Sequence, residues 1–244
     1  MDVSISSDCR ELGKASALFI CEKLNNAINN KGEARMVVST GSSQFDMFSV
    51  LVNLDIDWTR VEVFHLDEYI GLPVTHPASF RKYLNERFVG HVPVRKFHSI
   101  DIEECLYEKI NELTFEIRKA PVDLGVIGIG VNGHIAFNDP PADFETQEAY
   151  KVVNLDEVCR MQQVGEGWFA GLDDVPLKAV SMTVFQIMQC QTIVSCVPHA
   201  VKADAVYKTF TKGLTNTVPA TMLKQHPDYH LYLDRNSASR VIVL

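Results

Sequence analysis

The sequence predicts an α/β protein in one domain spanning residues 1–244, built on a largely parallel sheet with helices on both faces. Three observations predict it. Amphipathic helical stretches alternate with short apolar runs along most of the chain, the pattern of strand–helix–strand crossovers. The apolar runs are near-continuous, as in "VDLGVIGIG", which suits strands covered on both faces. A length of 244 residues with 46% apolar content is enough for one substantial core, and the chain shows neither an internal repeat nor a linker.

Residues 9 to 30, "CRELGKASALFICEKLNNAINN", set Leu12, Ala15, Leu18, Phe19, Leu24 and Ile28 on one helical stripe. "KGEARMVVSTGSSQ" then turns into a short buried strand, Met36 to Ser39, ending in a loop of small residues. "FDMFSVLVNL" returns to a helical pattern, and "RVEVFHLDEYIGLP" reads as a second strand running into an acidic loop. "HPASFRKYLNERFV" and "CLYEKINELTFEIRK" are helical, and "VDLGVIGIG" is a third strand. Further on, "KAVSMTVFQIMQC" has helical spacing and "TIVSCVP" is a strand. "AVKADAVYKTFTKG" is a helix closed by Gly213, while "YHLYLD" and "RVIVL" are late strands.

The formal net charge of -8 argues against a nucleic-acid partner, because a phosphate backbone rewards a basic surface. It leaves small phosphorylated ligands open, since these need only a local cluster of donors. No window approaches the roughly 20 apolar residues of a membrane span. Asp2, Asp8 and Glu11 fall where a secretory leader avoids acids, and the cysteines at 9, 21, 105, 159, 190 and 196 form no C-x-x-C pair. Cys190 and Cys196, flanking a strand, are expected to be single buried thiols, and the protein is expected in the cytosol.

In open parallel sheets the ligand sits outside the carboxyl ends of the strands. Four segments with small, polar or titratable residues occupy such ends: "STGSSQ", "HLDEY", "GIGVNGH" and "VPHAVK". The first offers backbone N–H groups around Gly41 and the hydroxyls of Thr40, Ser42 and Ser43 at a helix start. That suits a phosphate, and equally a turn with an N-cap serine. It is not a P-loop, since no G-K-[ST] follows. In "HLDEY", Asp67 and Glu68 are strand neighbours and point to opposite faces, so one of them enters a cleft. A carboxylate there can take a proton from carbon if burial raises its pKa; the alternative is a pair of solvated acids.

"GIGVNGHIAFNDPP" carries G-x-G-x-x-G at Gly128, Gly130 and Gly133, as a dinucleotide turn does, and Asp156 stands 26 residues after Gly130 as a candidate ribose acid. Such a turn must open a helix of several turns, however, and Pro140 and Pro141 leave room for one or two. Asn132, His134 and Asp139 fall within eight residues. A histidine beside a carboxylate works as acid and base near neutral pH, so this is a candidate catalytic loop. The plainer alternative for His134 is an imidazole satisfied by a loop carbonyl.

At these residues the chain resembles the glucosamine-6-phosphate deaminase/isomerase family. The resemblance is carried by "STGSSQ", "HLDEYIGLPVTHPASF", "GIGVNGHIAFNDP" and "VPATMLKQHPDYHLYLD", in order from residue 39 to 234. The specific part is "LDEYIGLP" together with "NGHIAFN". The related 6-phosphogluconolactonases typically show an arginine after "DE" and lack "AFN", so Tyr69 and Phe137 favour the deaminase branch. The resemblance implies a Rossmann-like sheet that uses no nucleotide, with glycines that let the loop backbone approach a sugar. It implies conversion of an amino-sugar phosphate to fructose 6-phosphate and ammonia through ring opening and an enediol-type intermediate, with no metal or organic cofactor. Asp67 would match the base that moves a proton between C2 and C1. His134 would match the histidine that assists ring opening, with neighbouring acids orienting it. Thr40, Gly41, Ser42 and Ser43 would match the phosphate site, and Lys202 a phosphate-contacting lysine, a role that suits a point charge.

Three features depart from the family pattern. Asn132 stands where Asp is frequent. Asp139 stands where Glu is usual, which shortens the reach by on the order of 1 Å, enough to matter in catalysis. In "CRMQQVGEGWFAGLDDVP" the family tends to supply a phosphate-clamping arginine, whereas Arg160 comes too early in the local match and "QQVGEGWF" offers amides. The expected partner is a small-molecule sugar phosphate, with no nucleic acid and no membrane. A related substrate such as the galactosamine epimer stays open, and since hexamers occur in the family, so does a homo-oligomer. A non-catalytic sugar-phosphate sensor is a further alternative. The eight residues before the first helix leave no room for a DNA-binding helix-turn-helix, and the acidic charge opposes one.

Overall fold

The computed structural model describes residues 1–102, 105–165 and 167–241. In chain order, the elements are β1 (Asp2–Ser6), α1 (Cys9–Lys31), β2 (Ala34–Val38), α2 (Phe45–Leu51), β3 (Val61–His65) and β4 (Asp67–Tyr69). Then come α3 (Phe80–Leu84), β5 (Lys96–His98), α4 (Leu106–Arg118), β6 (Leu124–Val126), β7 (Tyr150–Asn154) and α5 (Glu157–Gly165). The last are β8 (Lys178–Met182), α6 (Val184–Ile187), β9 (Thr192–Val197), α7 (Ala203–Thr211) and β10 (Tyr229–Asp234).

Local chemistry sets the ends of α1. The Asp8 carboxylate accepts the N–H groups of Arg10 and Glu11 at 3.0 Å each, and Gly32, at φ 85°, closes the helix by donating to the Ile28 carbonyl at 2.8 Å. The buried face runs through Leu12, Ser16, Ile20, Leu24 and Ile28, a strict four-residue spacing, with Ala17 beside it. Leu18, expected on that stripe, is instead 49% exposed.

Seven strands form a parallel sheet among the described residues, in the order β1-β10-β9-β6-β2-β3-β5. Side chains alternate between two cores. Ala34, Met36 and Val38 of β2 pack with α1 and α2, while Val37 faces the opposite core with Leu113 and Ile117 of α4 and Val206 of α7. In β9, Val194 and Cys196 face the first core, and Ile193 and Val197 the second. A strand covered on both sides has no polar face to show, which is why these runs read as continuous. The chain crosses β2 toward β3 and β5, then returns to place β6 on its other side. The carboxyl ends of β2 and β6 therefore flank the switch point where such sheets open a crevice.

A three-stranded antiparallel sheet, β4-β8-β7, accompanies the main one. It corrects two expectations. "DEY" is not a loop but strand β4, pairing Asp67 with Ser181 and Tyr69 with Ala179. "KAVSM" is strand β8 rather than helix; Thr183 then accepts the Gln186 N–H and starts the single turn of α6. β-Branched Val180 favours an extended path, and the segment lies between two neighbours, β4 and β7, whose edges offer hydrogen bonds. The edge and small-sheet strands β1, β5 and β7 gave no sequence signal, being short and, at β1, largely exposed. Of the expected strand "RVIVL", Arg240 and Val241 lie in a turn and residues 242–244 fall outside the described residues. Cys190 and Cys196 are free and buried as expected, although Cys196 lies inside β9 rather than beside it. Among the described residues, no helix is long and apolar enough to cross a membrane.

Candidate active site

At the switch point the loop after β2 and the loop after β6 line one cavity. Asp67, His134, Lys202 and the Thr40–Ser43 segment all reach it. The structure thus brings together most of the residues singled out from sequence, across four strand ends, while Asn132 and Asp139 stand behind His134.

Gly41 sits at φ 103° and ψ 163°, a backbone conformation open to glycine and strained for other residues. It turns Thr40, Ser42 and Ser43 onto the cavity wall. Ser42–Gln44 form a single 3-10 turn before α2, which has only seven residues, so the hydroxyl loop does not itself open a regular helix as expected. Tyr83, which also lines the cavity, fastens the loop by donating its hydroxyl to the Gly41 carbonyl at 2.8 Å. Its position in a helical apolar pattern gave no hint of this. Gln44, fully buried, donates its side-chain N–H to the Cys196 carbonyl at 3.3 Å and ties the loop to β9.

Asp67 and Glu68 part as strand alternation requires. Asp67 lines the cavity and is 6% exposed. Burial, reinforced by the neighbouring Glu68 charge, pushes its carboxyl up to about 8. Glu68 points the other way into a buried lock. Its carboxylate accepts the N–H groups of Tyr69 (2.9 Å), Phe80 (3.2 Å) and Arg81 (2.8 Å), the Ser79 hydroxyl (3.1 Å) and Arg81 Nε (3.3 Å). Arg81 extends the lock to the Leu72 carbonyl and to Asp101, both at 2.7 Å. β4 is thereby clamped to the start of α3, and Asp67 is held at the mouth of the sheet. Pure loop chemistry would not do this.

The glycine-rich loop has no helix after Gly133; Ile135 and Asn138 instead bridge across a tight turn with Ala136 at φ 49°. Asp156 is engaged as a helix cap, accepting the Cys159 N–H at 2.7 Å. Neither feature fits a dinucleotide turn. Gly130 has a different job from the one expected, since a Cβ there would lie 2.3 Å from the His134 ring. The bare backbone makes room for the imidazole. Gly133, at φ 88°, allows the turn that returns the chain.

His134 Nδ1 lies 3.0 Å from Asp139 Oδ1, so the shorter acid still reaches it. Asn132 braces both partners: its Nδ2 donates to Asp139 Oδ1 at 3.1 Å and its Oδ1 accepts the backbone N–H of His134 at 3.0 Å. An aspartate at 132 could not donate to Asp139 and would add a like charge beside it. Burial opposes ionisation of Asp139, but the adjacent His134 imidazole, the Asn132 amide and the nearby Cys159 thiol outweigh it and hold the carboxyl below its ordinary range. β8 ties the segments that carry Asp67 and His134 together. Ser181 faces Asp67 across the small sheet and accepts the Phe137 N–H at 3.1 Å; Asn138 Nδ2 donates to the Met182 carbonyl at 2.9 Å. Behind them, Tyr69, Phe80 and Phe137 pack with ring centroids 5.0–5.8 Å apart, Phe80 stacked on Phe137 and Tyr69 tilted against both. Among the described residues, no group of three or more His, Cys, Asp or Glu side chains is placed to hold a metal ion.

A family model described as glucosamine-6-phosphate isomerases/6-phosphogluconolactonase matches residues 7–231. The chain belongs to this family. Among its relatives, the glucosamine-6-phosphate deaminase of Thermoanaerobacter pseudethanolicus is 34% identical over 249 residues, covering 99% of this chain and 95% of the relative. The enzyme of that name from Staphylococcus epidermidis is 34% identical over 245 residues, covering 96% and 97%. A solved structure described as a monomeric glucosamine-6-phosphate deaminase superposes with a TM-score of 0.87 at 26% identity, covering 98% of this chain and all of that one. The 6-phosphogluconolactonase of Thermotoga maritima shares the fold, with a TM-score of 0.78 at 15% identity. Within the glucosamine-6-phosphate isomerase/6-phosphogluconolactonase family, then, this chain follows the deaminase relatives along its full length.

Proposed function

We propose that the protein converts glucosamine 6-phosphate to fructose 6-phosphate and ammonia, acting as one unit over residues 1–244. The observation that carries this reading is a buried carboxylate of raised pKa, Asp67, sharing one cavity with a braced imidazole–carboxylate pair, a hydroxyl loop and a lysine. The hydroxyls of Thr40, Ser42 and Ser43, the Gly41 turn and the Lys202 ammonium bind the phosphate. His134, steadied by Asp139 and Asn132, moves the proton between the ring oxygen and the anomeric hydroxyl as the ring opens. Asp67 takes the proton from C2 of the open chain as O1 gains one, giving an enolamine, and returns its proton to C1 as the nitrogen gives one up, leaving an imine at C2. Water adds there and ammonia leaves, so the isomerisation ends in a hydrolytic step. A base near pKa 8 suits proton removal from carbon better than an ordinary carboxylate, since its conjugate acid is weaker.

Ammonia release from glucosamine 6-phosphate, compared with galactosamine 6-phosphate, tests the reaction and the epimer together. Release from the first and not the second is the expected result; release from the galactosamine epimer alone would reassign the substrate. Gly130→Ala is expected to lower kcat by about 100-fold, because the new methyl group displaces His134 by on the order of 1 Å. A circular dichroism spectrum like that of the unmodified protein would show that the loss comes from the imidazole and not from unfolding.

A further inference from the structure

α5 buries two side chains, Cys159 and Gln163, which lie one turn apart on the same helix face. Cys159 packs into the aromatic cluster with Tyr69, Phe137 and Phe169. Gln163, one turn further on, lines the cavity that also holds Asp67, His134 and Lys202. Its carbonyl accepts the Trp168 N–H at 3.2 Å, so the turn after α5 folds back and brings Trp168 to the same wall.

Gln163 is 7% exposed, yet its carboxamide makes no hydrogen bond to another described residue. Most of the side chain is covered while the amide keeps the open cavity to face, and a leucine or methionine would fill the helix face equally well. Two amide N–H donors and a carbonyl acceptor therefore face the cavity. Lys202 is the single Lys or Arg among the described residues lining that cavity, so an anionic, oxygen-rich ligand draws on neutral donors for the rest of its contacts.

We propose that Gln163 is a ligand-contact residue that helps set specificity, its carboxamide hydrogen-bonding an oxygen of the bound sugar phosphate. The inference rests on the sugar-phosphate reading of the cavity but not on the reaction carried out there. Because the contact is neutral, it reads hydroxyl or phosphate oxygens in either hydrogen-bonding direction without adding charge beside Asp67.

The test is calorimetric titration of the full-length protein with glucitol 6-phosphate, an unreactive sugar phosphate, and separately with inorganic phosphate. Gln163→Met keeps the shape and removes the polar atoms; Gln163→Glu is isosteric and turns a negative charge on the anion. Affinity for glucitol 6-phosphate is expected to fall about tenfold in the Met variant and about 100-fold in the Glu variant, with the melting temperature of the ligand-free Met variant unchanged or higher. If inorganic phosphate weakens in parallel, the amide holds a phosphate oxygen; if it does not, the amide holds a sugar hydroxyl. Affinities for glucitol 6-phosphate within twofold of the unmodified protein in both variants would overturn the inference, as would a lower melting temperature at unchanged affinity, which marks a purely structural glutamine. Absent ammonia release from the unmodified protein, with these affinity losses intact, would remove the proposed reaction and leave the contact standing.

Discussion

Asp67→Asn is expected to abolish ammonia release while leaving the binding of inorganic phosphate within a few-fold of the unmodified protein. The amide keeps the size of the side chain but cannot accept a proton, whereas the phosphate contacts belong to other strand ends. The pH dependence follows from the same burial. Asp67 must be ionised to act as the base, and its carboxyl is pushed up to about 8, so kcat/KM should climb as pH rises from 6 through 8 and then level off. A profile already flat at pH 6 would remove Asp67 as the base.

Stability should move the opposite way. The folded protein keeps the Asp67 proton to about pH 8, whereas the unfolded chain releases it near 3.8. The unfolded state therefore holds fewer protons between those values, and stability falls as pH rises through that window. At about 1.36 kcal/mol for each tenfold change in an ionisation constant, full ionisation destabilises the fold by on the order of 5 kcal/mol, less what solvent in the cleft screens. Asp67→Asn escapes this. Its melting temperature should exceed that of the unmodified protein by roughly 5–10 °C at pH 9, with the difference vanishing near pH 4. The site trades stability for basicity.

The second large effect is expected behind the site. Glu68→Ala removes the carboxylate that five donors share and breaks the buried contact with Arg81, itself 6% exposed, whose guanidinium also reaches Asp101 at 2.7 Å. Breaking a buried pair from one side costs about 3–5 kcal/mol, which for a chain of this size is a fall of roughly 10 °C in melting temperature. Urea denaturation of Glu68→Ala, Arg81→Met and the double variant separates the pair from its neighbours. The double variant should be destabilised by less than the sum of the two, because both changes remove the same ion pair and its hydrogen bonds. Additive losses would mean that the two side chains act independently.

Much of the site was legible in the sequence because its residues are local to strand ends. "STGSS", "DEY" and "NGHIAFND" each sit where a parallel strand stops, and a parallel sheet gathers such ends on one side whatever the strand order. Alternation within a strand also foretold that Asp67 and Glu68 would part. The residues that sequence reasoning missed act across long separations: Tyr83 on Gly41, Ser181 on Phe137, Arg81 on Glu68 and Leu72. No local period encodes such contacts.

The sequence alone therefore determined the α/β class, the main strand–helix alternation and the family, since those follow from side-chain patterning and from motifs read in place. Only the tertiary structure decided that "DEY" and "KAVSM" pair as strands, that Gly130 serves the His134 ring, and that Asn132 and His134 meet on Asp139. The physical reason is one of range. Patterning reports which face of an element seeks burial, whereas hydrogen-bond partners and close approaches are chosen when separate elements meet.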